Sequence, residues 1–163
     1  MRIFGNPLRA KQTSPALCKV ILKPPLPHST PAQAELDTKP RKTMSYTVPT
    51  LLLRNLHDVF GEIDPVRRRA AVDEIFHEDA VFHEPNGTYR GRDEIDRIAG
   101  AIKATHPDFR YQPLSPPEVI GDGGRVRWVS GSLDKPPAYA GTDFIIARDG
   151  KIAAVYLFFD ELP

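Results

Sequence analysis

The sequence predicts an α+β fold in which helices cover one face of a strongly curved, mainly antiparallel sheet. Three observations carry this. Apolar residues recur at helical spacing around residues 52–60, 65–76 and 92–105. Alternating, β-type segments fill the chain from Phe109 onward. Turn signals at Gly121-Asp122-Gly123-Gly124 and at Asp149-Gly150 separate those segments. Helices first and a long meander last place the helices together on one side of the sheet.

The elements follow in order. Leu52, Leu56, Val59 and Phe60 fall at i, i+4, i+7 and i+8, one face of a first helix, with Pro49 in its first turn and Gly61 as its C-terminal cap. Asp64-Pro65 starts a second helix, whose apolar side is Val66, Ala70 and the Ile75-Phe76 pair. Asp79 to Glu84 is a short strand that Pro85-Asn86-Gly87 ends in a turn, with room for one more short strand after it. Arg92 to Thr105 is a third helix with Ile95, Ile98, Ala99 and Ile102 on one stripe, stopped by Pro107. Strands are expected over Phe109–Leu114, Glu118–Ile120, Arg125–Leu133, Tyr139–Arg148 and Lys151–Asp160. Asp149-Gly150 is the tight-hairpin signal between the last two. Three helices cannot cover a bent sheet completely, so the concave side is left as a pocket, mostly apolar with a few convergent polar groups.

Composition sets the limits. The chain has 163 residues, one domain's worth, and a net charge of +1 from 22 basic and 21 acidic residues. That balance exerts no global pull on nucleic acid or anionic membrane, and Arg67-Arg68-Arg69 is too short to change it. The first 43 residues stand apart. They carry eight Lys/Arg against Glu35 and Asp37, leaving −5 on the remaining 120 residues, and seven of the 17 prolines. They read as a disordered, Pro-rich basic tail that buries too little apolar surface to offset its ordering entropy. A mitochondrial import segment, and an upstream start with Met44 as the true first residue, are the alternatives for residues 1–43. Residues 44–163 form the domain. A single cysteine, Cys18, excludes an internal disulfide, and no cluster has zinc-ligand spacing. No apolar run approaches the ~20 residues of a membrane span. A cytoplasmic location is expected. Gly121-Asp122-Gly123-Gly124 lacks a following helix, so it is a hairpin and not a phosphate loop.

Five motifs occur in sequence. They are Val81-Phe82-His83-Glu84-Pro85-Asn86-Gly87; Gly91-Arg92-Asp93-Glu94-Ile95; Gly141-Thr142-Asp143-Phe144; Asp149-Gly150-Lys151-Ile152; and Phe159-Asp160. In this order and spacing, over residues 48–161, the chain resembles the NTF2-like superfamily, and within it the SnoaL-like polyketide cyclase and ketosteroid isomerase-like branch. The resemblance implies an NTF2-like cone: three N-terminal helices on a strongly curved, mainly antiparallel sheet enclosing a pocket. It also implies a general-base carboxylate immediately before a Pro-x-Gly, which Glu84 matches where the isomerases carry Asp. A second, proton-donating carboxyl lies on the penultimate strand, which Asp143 matches within about one residue of register. The isomerases' tyrosine on the first helix has no counterpart between Leu51 and Phe60. Arg127 lacks the nearby acid of the limonene epoxide hydrolases. Both of those reactions are therefore disfavoured.

The chemistry has a physical basis. A carboxylate in an apolar pocket has its pKa raised, and two that share one are pushed apart, one ionised and one protonated. This yields a base and a hydrogen-bond donor at neutral pH, with no cofactor and no metal, suited to proton abstraction beside a carbonyl and to aldol-type closure. Glu84 and Asp143 are the catalytic candidates. Glu84 also fits a solvent-exposed turn cap, and Asp143 a structural acid bonded to Trp128 or to a backbone N–H. Substrate-binding candidates are His57 on the first helix, Arg127 on a central strand, and Tyr139, which shares a face with Asp143 at period two. On the last strand both faces are apolar. By analogy with the family, Val155, Leu157 and Phe159 line the cavity, and Tyr156 and Phe158 face a homodimer partner. The expected activity is isomerisation or cyclisation of a small hydrophobic carbonyl compound. The rivals are a non-catalytic binder of a small apolar metabolite and a dimeric interaction module with a vestigial pocket.

Overall fold

A computed structural model describes residues 45–163 of the protein. The readings of residues 1–43, and of Met44 as a start, lie outside the described residues. The elements are α1 (Val48–Arg54), continued without a break by a π-helical segment (Asn55–Phe60), α2 (Pro65–Ile75), β1 (Phe76–Glu84), β2 (Gly87–Arg90), α3 (Gly91–Thr105), β3 (Arg110–Pro113), β4 (Glu118–Ile120), β5 (Gly123–Gly131), β6 (Tyr139–Arg148) and β7 (Lys151–Asp160). The seven strands form one sheet in the order β2-β1-β7-β6-β5-β3, with β4 also on β5. All pairings are antiparallel except β1 with β7. The three helices pack on one face of this curved, mixed sheet, which is the expected cone.

Local signals explain the helix limits. The Asp64 side chain accepts from the backbone N–H groups of Val66 (2.8 Å) and Arg67 (3.1 Å), a side-chain cap with Pro65 at the first helical position. Val66 and Ala70 are not on the buried side of α2, as their spacing predicted. Both are exposed, and Ala71, Val72 and Ile75 make the contact instead. β1 starts at Phe76, earlier than expected, because Phe76 pairs with Ile152 ahead of an irregularity that runs to Val81.

The core lies between the helices and the concave sheet face. Leu51, Leu52, Leu56, Val59, Ile75, Phe76, Ile95, Val126, Ile145, Ile152 and Val155 are all essentially inaccessible to water. β7 crosses it with a register shift between Ile146 and Ala147 of β6, which brings Ile152 and Val155 to the same side although they are three apart. Asp149-Gly150 turns β6 into β7 with both residues at positive φ (51° and 70°). A Cβ on Gly150 would also strike Ser45. The outer sheet face stays apolar: Tyr156 stacks on His83 (ring centroids 4.7 Å apart), Phe144 lies beside it, and Phe158 is 58% exposed.

Gly150→Val imposes both a strained φ and a collision. It is expected to cost about 1–3 kcal/mol in urea-induced unfolding; an unchanged midpoint would contradict this account of the turn.

Candidate functional site

The concave face holds a hollow of about 440 Å³, lined among others by Leu56, Phe60, Phe82, Ile98, Ile102, Tyr111, Trp128 and Leu157. Its polar members are few: Asp143, Glu84, Asn86, Tyr89, Lys103, Ser130 and the rim residues Thr105, His106 and Tyr139.

Asp143 is the deepest acid. It sits in mid-β6, opposite Val126 of β5 and Leu157 of β7, and is 5% exposed. Its two oxygens are held separately. The Trp128 indole N–H donates to Oδ1 and the Asn55 amide to Oδ2, each at 2.9 Å. Burial raises its pKa from the ordinary 3.8 to about 6, against the lowering effect of those two donors.

Each donor has a local cause. Asn55 opens the π-helical segment, whose wider turn puts Asn55, Leu56, Val59 and Phe60 inside and leaves His57 outside. Its own Oδ1 is buried with no hydrogen-bond partner. Trp128 pairs with Gly141 across β5 and β6, and a Cβ on that glycine would come within 2.6 Å of the indole. The absence of a side chain at Gly141 is what lets the indole lie there.

Glu84 lines the same hollow from β1. His83 pairs with Tyr156, so Glu84 falls level with Leu157, the partner of Asp143. The two acids thus share one rung of the sheet, two strand spacings apart, roughly 10 Å between backbones. Glu84 lies at the mouth and accepts three hydrogen bonds at 3.1 Å, from the Asn86 backbone N–H, the Asn86 amide and the Tyr89 hydroxyl.

Tyr139, Leu157 and Phe159 also line the hollow. Three other candidates are not brought to it. His57 is exposed on the first helix, one position off the buried stripe. Arg127 alternates away from Trp128 onto the outer face, where it approaches Asp160 at 3.6 Å. Val155 is inside but belongs to the packed core beneath the hollow.

Sequence reasoning missed Asn55, Tyr111, Lys103 and Ser130. Asn55 and Lys103 each interrupt an apolar helical stripe, four residues after Leu51 and Ala99, and that was the available signal. Tyr111 has no hydrogen-bond partner among the described residues. Burial, and next the Asp143 charge, push its pKa up, so its hydroxyl stays protonated. Among the described residues no group of three or more His, Cys, Asp or Glu can hold a metal ion, and no helix is long and apolar enough to cross a membrane.

Asp143→Asn removes the ionisable group that burial perturbs. An acid whose pKa is raised by folding contributes stability that is present below the unfolded value and lost as pH rises through the folded one. The stability of Asp143→Asn relative to the natural protein is therefore expected to rise between pH 3.8 and about 6, by about 1–3 kcal/mol in total, and then level off. A difference that does not change with pH in paired denaturation curves would contradict this.

A family model described as a SnoaL-like domain matches residues 53–155. Among solved structures, the chain is similar to a candidate isomerase of the SnoaL-like family from Agrobacterium tumefaciens, at 26% identity and a TM-score of 0.65, covering 69% of this chain and 96% of that one. It is also similar to a candidate polyketide cyclase from Sinorhizobium meliloti, at 23% identity and a TM-score of 0.54, covering 68% and 95%. A third is an NTF2-like protein of unknown function from Cytophaga hutchinsonii, at 16% identity and a TM-score of 0.54, covering 72% and 93%. A search of curated proteins finds no match.

Proposed function

The chain belongs to the SnoaL-like domain family, and from that premise we propose that it is a cofactor-independent general acid/base enzyme, of isomerase or cyclase type, on a small hydrophobic carbonyl compound. The observation that carries this reading is the Asp143 carboxyl, buried at the wall of an apolar hollow with both oxygens accepting N–H donors.

Those donors favour the carboxylate, so we assign the base to Asp143 and not to Glu84. With a pKa near 6 it is largely ionised at neutral pH yet basic enough to take a proton. The proposed step removes a proton from the carbon next to the substrate carbonyl to a free lone pair of Asp143. The C–H electron pair becomes the enolate π bond and charge moves onto oxygen. The Tyr111 hydroxyl donates to that oxygen, in place of the tyrosine that the first helix lacks. Asp143 then returns the proton to the γ-carbon of a conjugated enolate, which shifts the double bond and gives isomerisation, or the enolate carbon attacks a second carbonyl and Asp143 protonates the alkoxide so formed, which gives ring closure. Glu84, with the Tyr89 hydroxyl on it, orders the mouth. The resident aliphatic and aromatic walls suit an apolar substrate body.

The outer face supports a homodimer. His83, Phe144, Tyr156 and Phe158 form a contiguous apolar surface on three neighbouring strands, of the kind an assembly covers. Tyr156→Glu is expected to give monomers on a sizing column; elution unchanged from the natural protein would remove this assignment.

The activity is tested by hydrogen exchange in D2O, followed by NMR on enolisable ketones headed by α-tetralone. The natural protein is expected to accelerate α-proton exchange, with a rate that rises through pH about 6 and then levels. Asp143→Asn is expected to lose roughly 10²-fold or more. Exchange that survives in Asp143→Asn would overturn the role of Asp143. No exchange by the natural protein on any ketone would leave the metabolite-binding reading in its place.

A further inference from the structure

The same hollow holds a second polar group that the proton-transfer step does not use. Lys103 is in the last turn of α3, 3% exposed, and lines the hollow. Its ammonium donates to the Phe109 carbonyl at 2.7 Å, which occupies one of three N–H donors. Among the described residues it has no ion pair. Burial and the neighbouring Arg110 lower its pKa, while the Asp108 and Glu62 charges act the other way from a distance. A buried cation without a counter-charge is costly, and the cost is recovered when a ligand supplies the anion.

Hydroxyl groups line the same hollow. Tyr111 pairs with Ser130 across β3 and β5, and Ser130 pairs with Tyr139 across β5 and β6. Directly opposed residues of antiparallel strands project to the same face, so these three side chains form one row across the wall of the hollow. Ser130 is 4% exposed, lines the hollow, and its hydroxyl has no hydrogen-bond partner among the described residues. Phe109, whose carbonyl holds Lys103, packs against His106 and Tyr139 (ring centroids 4.4 and 6.2 Å), which ties the lysine to the same row.

We propose that Lys103, with the Ser130 and Tyr139 hydroxyls, is a carboxylate subsite, so that the substrate is an elongated hydrophobic keto acid. One ammonium with neutral hydroxyl donors matches a monoanion. Tyr139 lies four residues from Asp143 on β6, which separates the carboxylate subsite from the proton-transferring acid by roughly 13 Å of strand. The substrate would place its carboxylate beside Lys103 and its reacting carbon beside Asp143, with apolar chain along Trp128 and Leu157. The keto group in this assignment rests on the acid/base reading above; the carboxylate does not.

The test reads binding alone. Trp128 is the chain's only tryptophan and lines the hollow, so its fluorescence reports occupancy. Decanoate and methyl decanoate are titrated into the full-length protein. Decanoate is expected to bind at least about tenfold more tightly. Lys103→Met is expected to bring the two within about twofold, chiefly by weakening decanoate. Ser130→Ala is expected to cut the preference about threefold. Equal binding to the natural protein, or an undiminished preference in Lys103→Met, would overturn the subsite. If Lys103→Met fails to fold by near-UV circular dichroism, Ser130→Ala and Tyr139→Phe decide, and a preference unchanged in both overturns it. In Asp143→Asn the preference is expected to persist, which separates failure of the acid/base reading from failure of the subsite.

Discussion

Taking one carboxylate out of water organises this fold. A buried, ionised Asp143 is tolerable only if its oxygens find donors, and only two reach it. Trp128 comes from the adjacent strand and needs a glycine beneath it. Asn55 comes from the first helix and needs that helix to widen into a π-helical segment at that point. The Asn55 carbonyl oxygen is left unsatisfied in the process. Three departures from regular structure — a glycine in a strand, a π segment and an orphaned acceptor — thus converge on one side chain.

The hollow follows from the sheet. Its curvature draws the concave faces of β1, β5, β6 and β7 toward one another, and the helices close the core over Ile145, Ile152 and Val155 but leave the Trp128–Leu157 region open. The rung that carries Glu84, Leu157 and Asp143 sets one acid in the wall and one at the mouth. The two experience different environments for that reason, and unequal environments are what allow two acids of one pocket to take different roles. The opposite face of the same strands carries the aromatic surface assigned here to a partner.

Much of this was legible in the sequence, for identifiable reasons. Period two placed Tyr139 and Asp143 on one face, and also placed Leu157 and Phe159 together. The Asp149-Gly150 signal located the last hairpin because only a left-handed pair closes it. The Val66 and Val155 readings went astray for a common reason. Apolar character says that a side chain wants cover, not which cover it receives. His57 was a candidate for its chemistry on the first helix although it lies one position off the apolar stripe, and the structure leaves it exposed there. Arg127 points outward by the same alternation that points Trp128 inward. Asn55, Lys103, Tyr111 and Ser130 escaped because their roles depend on strands and helices far apart in sequence. Only the tertiary fold brings an ammonium and two hydroxyls to one cavity and the Asn55 amide onto the acid in its wall.

The account depends most directly on the ionisation of Asp143. Trp128 is the only tryptophan, so the protein gives a single indole N–H resonance, and that N–H donates to the carboxyl. Its ¹H–¹⁵N shift, followed from pH 3 to pH 8, is predicted to titrate with a midpoint of about 6. The inflection is predicted to vanish in Asp143→Asn. A midpoint near the ordinary carboxylate value of 3.8, or a shift that ignores pH, would contradict the claim that the hollow desolvates this acid.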